Sequence, residues 1–200
     1  PHPAEIDNGD THSSLTDLRL SVHYQALDAP VSLAPYFGVV VPTNDYPTFG
    51  HAAPGRGLHE AWFGFAAGKN LDPWLPRTYA QLRYNYAWVE RVAGIAHDRS
   101  NLDLELGFFV LPTWSIRLLG YWQETHGGVD VPMPPSNPLY PYHDQLADES
   151  FFNAGLGTSV TLSSRTMLYA SYQTGIHGRN GHKVDHGFLV GLSFGFMPER

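Results

Sequence analysis

The 200-residue sequence contains no cysteine, which excludes disulfides, a thiol nucleophile, cysteine-ligated metal and covalently attached c-type haem. Charge is scarce too: 16% of residues are charged, against about a quarter in an ordinary soluble domain. No run approaches the roughly 18–20 apolar residues that a membrane-spanning helix needs. The net charge of −7 leaves no basic stripe of the kind nucleic acid selects, so no nucleic-acid partner is expected. Pro1-His2-Pro3-Ala4-Glu5 is not a basic stretch followed by an apolar core, and an exported protein would have lost such a leader. No Gly-x-Ser-x-Gly elbow, His-Glu-x-x-His or phosphate-binding glycine loop occurs, so neither an enzyme active site nor a cofactor is expected.

Glycine (20), proline (16), tyrosine (11) and phenylalanine (11) are plentiful instead. The length suits one domain, a closed barrel or a large β-sandwich. Strand-like segments recur at about 16–26, 31–42, 59–69, 78–89, 101–111, 114–125, 150–162, 166–176 and 186–196. Most have about ten to twelve residues, the length a tilted strand needs to cross a bilayer, where soluble strands are nearer five or six. Alternation is the stronger signal. Phe188, Val190, Leu192, Phe194 and Phe196 fall on one face of the last segment, with Gly187, Leu189, Gly191, Ser193 and Gly195 on the other. Leu102, Leu104, Leu106, Phe108 and Val110 likewise oppose Asp103, Glu105, Gly107 and Phe109.

The connections after segments one, three, five and seven are short, and those at about 43–58, 90–100, 126–149 and 177–185 are longer and polar. Short turns at one rim and long loops at the other are the usual plan of an outer-membrane barrel. The pattern predicts an all-β, antiparallel up-and-down transmembrane β-barrel over 16–196, with an irregular extracellular segment at 1–15 and a tail at 197–200. Nine strands are visible, and closed bacterial barrels normally have an even number. One or three N-terminal strands are therefore expected to be missing or supplied elsewhere, making a barrel of ten or twelve strands. An irregular strand within 1–12 is the alternative.

Four stretches carry a family resemblance: Thr16-Asp17-Leu18-Arg19-Leu20-Ser21-Val22-His23-Tyr24; Phe37-Gly38-Val39-Val40-Val41-Pro42-Thr43; Tyr79-Ala80-Gln81-Leu82-Arg83-Tyr84-Asn85-Tyr86; and Gly178-Arg179-Asn180 followed by Gly187-Phe188-Leu189-Val190-Gly191-Leu192-Ser193-Phe194. Their order resembles the outer-membrane family named for the MetA pathway of phenol degradation. The chain departs from that pattern at its start, where members carry further strands, and in ending with Met197-Pro198-Glu199-Arg200 after Phe196. The resemblance implies residence in the bacterial outer membrane and passage of aromatic or apolar compounds. It brings no catalytic residues.

In the expected register Arg19, Glu60, Arg83, Asp103, Glu105 and Arg117 fall on the side away from lipid. Charges within a membrane must pair with one another or with water, so they form either a selectivity wall or a salt-bridged ladder stiffening a narrow barrel. Tyr36, Trp62, Tyr79, Phe109, Tyr121, Phe151 and Tyr169 share that face, as the lining of a path for apolar solutes or as a plug of packed rings. Tyr24, Trp88, Trp114, Trp122, Tyr172 and Phe196 fit interfacial girdles on the lipid side.

The histidines His51, His97, His143, His177, His182 and His186 sit in expected loops or at their edges, where solvated side chains are expected. His182, Asp185 and His186 could hold a metal ion, although an irregular loop gives their spacing no geometric promise. Five prolines in 129–142 argue against regular structure there. That segment is read as a stiff extended loop, a folded-over lid or a partner surface. The functional expectation is a narrow passive channel for small apolar or aromatic solutes, in contact with membrane lipid. A plugged structural barrel binding a protein partner through loops 43–58 and 126–149 is the second reading, and a soluble β-sandwich the third.

Overall fold

The computed structural model describes residue 13 and residues 15–49, 53–181 and 184–195. Nine strands follow in chain order: β1 (Leu18–His23), β2 (Ser32–Val41), β3 (Glu60–Asn70), β4 (Thr78–Val89), β5 (His97–Leu111), β6 (Trp114–Gly127), β7 (Ser150–Ser163), β8 (Thr166–Arg179) and β9 (Gly187–Phe194). Each pairs antiparallel with its neighbour in sequence, giving one sheet in the order β1 to β9. The expected up-and-down arrangement is therefore present. No second sheet exists among the described residues, which removes the sandwich. No pairing joins β1 to β9 among them either.

The register carries the apolar alternation across the sheet, interrupted by bulges at Phe109–Leu111, Phe152–Asn153 and Thr161–Ser163. Leu106, Leu118, Leu156, Tyr172 and Phe188 stand side by side across five strands, and Val22, Phe37, Phe63 and Tyr86 do so across the first four. No protein layer covers this face: Phe188 is 79% exposed and Val190 73%. Contiguous apolar surface on this scale is not tolerated in water, whereas a barrel turns such a band toward hydrocarbon. The opposite face collects the polar side chains.

Strand ends depart from the pattern for identifiable reasons. β1 stops at His23 instead of about residue 26. Tyr24 N–H still donates to the Pro35 carbonyl at 3.0 Å, but proline has no N–H to return, so the reciprocal bond is missing. β5 begins at His97, β6 runs to Gly127 and β8 to Arg179. At that end the ladder continues through polar residues beyond the apolar alternation. The connections 90–96 and 180–186 are consequently no longer than the turn 71–77, and only 42–59 and 128–149 are long.

Segment 128–149 is neither extended nor wholly irregular, contrary to the first of its readings. It contains a 3-10 turn over Tyr140–Tyr142 and the four-residue helix α1 (His143–Leu146). A proline falls in the first turn of the former, where its missing N–H costs nothing.

Candidate functional site

Arg19, Tyr36, Glu60, Trp62, Tyr79, Arg83, Asp103, Glu105, Arg117 and Tyr121, ten of the residues expected on the non-lipid side, occupy one face of the sheet. In the register Ala66, Arg83, Asp103, Tyr121 and Asn153 form one row. Tyr36 stands in a second row with Gly64, Asn85, Asn101 and Gln123. Glu60 and Trp62 lie nearer the long-loop end, and Tyr79, Glu105 and Arg117 nearer the short turns. Arg19 is exposed on β1 at the same face.

Their charges pair sideways. Glu60 of β3 accepts from Arg99 of β5, reaching over β4, and both side chains are largely buried. Arg83 donates to Asp103 at 3.1 Å. Glu105 accepts from the Tyr79 hydroxyl at 2.6 Å and from Arg117 at 3.4 Å. Between these levels runs an amide ladder. The Tyr121 hydroxyl donates to Asn101 at 3.1 Å, Asn101 to Asn85 at 3.0 Å, and Asn85 to the Tyr36 hydroxyl at 3.3 Å. Sequence reasoning missed Arg99, because it placed the residue in a loop. Its alternation with Asn101 and Asp103 carried the signal.

Three of the inward rings lie over glycines on the adjacent strand. A Cβ on Gly38 would stand 2.4 Å from Trp62. One on Gly107 would stand 2.2 Å from Tyr79, and one on Gly191 2.2 Å from Tyr169. The rings thus occupy volume that a neighbouring side chain would otherwise take, flat against the wall. Space remains in front of them. A cavity of about 950 Å³ lies toward the short turns, lined by His23, Gln81, Arg83, Asp103, Glu105 and Tyr121 among others. A narrower one of about 360 Å³ lies toward the long loops, between Arg19, Tyr36, Glu60, Trp62, Arg99 and Tyr121.

The long-loop end is covered. Leu58, Ala87, Val89, Val92 and Leu146 form the one buried apolar cluster among the described residues, with Trp62 packed against it. Arg56 donates to Glu149 at 2.5 Å, and Gln145 donates to the Arg56 carbonyl at 2.7 Å. Burial, with Arg99 nearby, lowers the Arg56 guanidinium below its ordinary value, while Glu149 and Glu60 oppose the shift. His97, expected as a solvated loop residue, is fully buried at this end. The ladder carries it inward as the first residue of β5.

Of the three candidate metal ligands, only Asp185 and His186 fall among the described residues. His182 lies outside the described residues. His186 Nδ1 is 2.9 Å from the Tyr172 hydroxyl and its ring stacks on that tyrosine, while the Asp185 carbonyl accepts from Thr174. No group of three histidines or carboxylates able to hold a metal occurs among the described residues.

A comparison with curated proteins found no match. Among solved structures the chain is similar to the crystal structure of an outer membrane channel from Pseudomonas putida F1, at a TM-score of 0.62 and 14% identity. The alignment covers 88% of this chain and 64% of that one, so the chain spans about 64% of the channel's length. That likeness supports the antiparallel up-and-down barrel fold. Residues 3–187 match the family described as "Putative MetA-pathway of phenol degradation". The chain belongs to that family.

Proposed function

We propose that the protein is a passive channel of the bacterial outer membrane, with the polar face of the sheet as the wall of a narrow passage for small apolar or aromatic solutes. The observation that carries this reading is the pairing of an exposed apolar face with a polar face that fronts a cavity of about 950 Å³. An exterior greasy band around a polar interior is the arrangement a membrane barrel requires. The exposed edges of β1 and β9 fit a barrel that closes through further strand pairing. The likeness to an outer membrane channel points the same way.

Arg19, Glu60, Arg83, Asp103, Glu105 and Arg117 set the polarity of the wall, and Tyr36, Trp62, Tyr79 and Tyr121 offer ring faces to the solute. Aromatic walls with a few placed polar groups suit apolar ligands. No cofactor enters; the solute gradient drives flow. Rings flattened over Gly38, Gly107 and Gly191 favour a lining over a plug. The partner-binding alternative is less well supported, because the two longest loops engage each other through Arg56 and Gln145. Vesicles carrying the protein should swell in small neutral solutes, and planar bilayers should show discrete conductance steps. A protein sealed in both assays would remove the channel.

A further inference from the structure

The two longest loops meet where a solute would leave or reach the narrow cavity. We propose that residues 128–147 form a hinged cap whose Leu146 closes the outer end of the passage, held shut by contacts to loop 42–59. The inference rests on the passage reading of the polar face and adds its regulation.

The plug is a single side chain in a defined seat. Leu146, at the end of α1, has no exposed surface. It packs with Ala87 and Val89, which lie on the polar-face side of β4, and with Leu58 and Val92. Trp62 touches the same cluster and also lines the narrow cavity. An apolar cluster therefore sits directly beyond the smaller of the two cavities.

The cap has a hinge. Gly127, the last residue of β6, and Gly128, the first of the cap, have φ of +99° and +83°, values at which only glycine is unstrained. A Cβ on Gly127 would stand 2.4 Å from the Ala96 carbonyl, and one on Gly128 2.5 Å from the Leu146 carbonyl. At the other foot Ala147 turns the chain from helical to extended geometry. Val129 and Ala147 are bridged to each other, so the two feet are tied and the cap moves as one piece.

The cap is fastened to loop 42–59 by Leu146 against Leu58, by His143 edge-on to Phe49 with ring centroids 5.5 Å apart, and by two further contacts. Gln145 donates to the Arg56 carbonyl at 2.7 Å, and Tyr140 meets Phe49 edge-on, with ring centroids 5.8 Å apart. Arg56 itself is braced by Glu149, below the cap.

The chain lacks cysteine, so introduced thiols react alone. The test joins Phe49→Cys and Tyr140→Cys in the full chain with a reducible bis-methanethiosulfonate linker and records single channels in planar bilayers. Linked protein should conduct at least tenfold less than the same protein after dithiothreitol. Leu146→Ala, measured separately, should raise the time-averaged conductance severalfold. Equal conductance with and without the linker would overturn the cap and leave the passage standing. Silence in the linked, reduced and Leu146→Ala proteins alike would remove the passage itself, and the cap with it.

Discussion

Gly107→Ala tests whether glycines keep the inward rings against the wall. The added methyl would lie 2.2 Å from Tyr79 Cζ and 2.5 Å from its hydroxyl oxygen, so the ring must retreat by more than an ångström. It cannot do so and keep the 2.6 Å hydrogen bond to Glu105. A hydrogen bond to a charged group contributes about 1.5–3 kcal/mol. Removing glycine's conformational freedom from a strand offsets about 0.5–1 kcal/mol of the loss. The variant should therefore be destabilised by about 1–2 kcal/mol in urea titrations followed by tryptophan fluorescence. Its conductance should also fall, because the displaced ring has only the cavity of about 950 Å³ to enter. In a Tyr79→Ala background the same substitution should be neutral or slightly stabilising. An equal cost in both backgrounds would refute the reasoning, because the clash would then lie elsewhere.

Three further outcomes are expected. Glu60→Gln leaves Arg99 buried beside a neutral partner, and breaking a buried pair costs about 3–5 kcal/mol. The double change Glu60→Leu with Arg99→Met should recover most of that loss in the same titration. Arg83 and Asp103 are substantially exposed, so Arg83→Gln should cost less than about 1 kcal/mol while moving the reversal potential toward cation preference. Tyr46, outside the strands, is pushed up to about 12 by burial and by its hydrogen bond to Asp17. Because the folded-state value lies above the unfolded value near 10, its contribution is full below pH 10 and is lost as pH rises toward 12. Tyr46→Phe should flatten that part of the stability curve, and an unchanged alkaline limb would contradict the assignment.

The outward face was legible in the sequence because a period of two survives any detail of loops. Phe188, Val190, Leu192 and Phe194 are fixed to one side once the segment is a strand, and the register then carries their partners. The ends were less legible for the same reason: alternation reports on hydrocarbon contact, not on hydrogen bonding. Asp98, Arg99 and Ser100 continue the ladder with no apolar rhythm to announce it, so Arg99 and its pairing with Glu60 were hidden. Pro35 had the opposite effect. It looks harmless on an alternating strand, yet its missing N–H ends the regular pairing of β1. Contacts between distant loops, such as Arg56 with Glu149, have no local periodicity and could not be read from the chain.

The charged wall is compatible with the proposed apolar solute because of how the charges are paired. Glu60 and Arg99, Arg83 and Asp103, and Arg117 and Glu105 pair along the sheet, so their fields largely cancel before reaching the middle of the passage. Asn85 and Asn101 satisfy one another and the hydroxyls of Tyr36 and Tyr121, leaving ring faces as the free surface. A solute sliding past meets few groups that must be stripped of a partner to greet it, and an unsatisfied buried donor is what would trap it. Arg19 adds a fourth arginine on the edge strand, beyond the three paired along the wall. The passage should consequently favour neutral aromatic solutes, with at most a mild preference for anions.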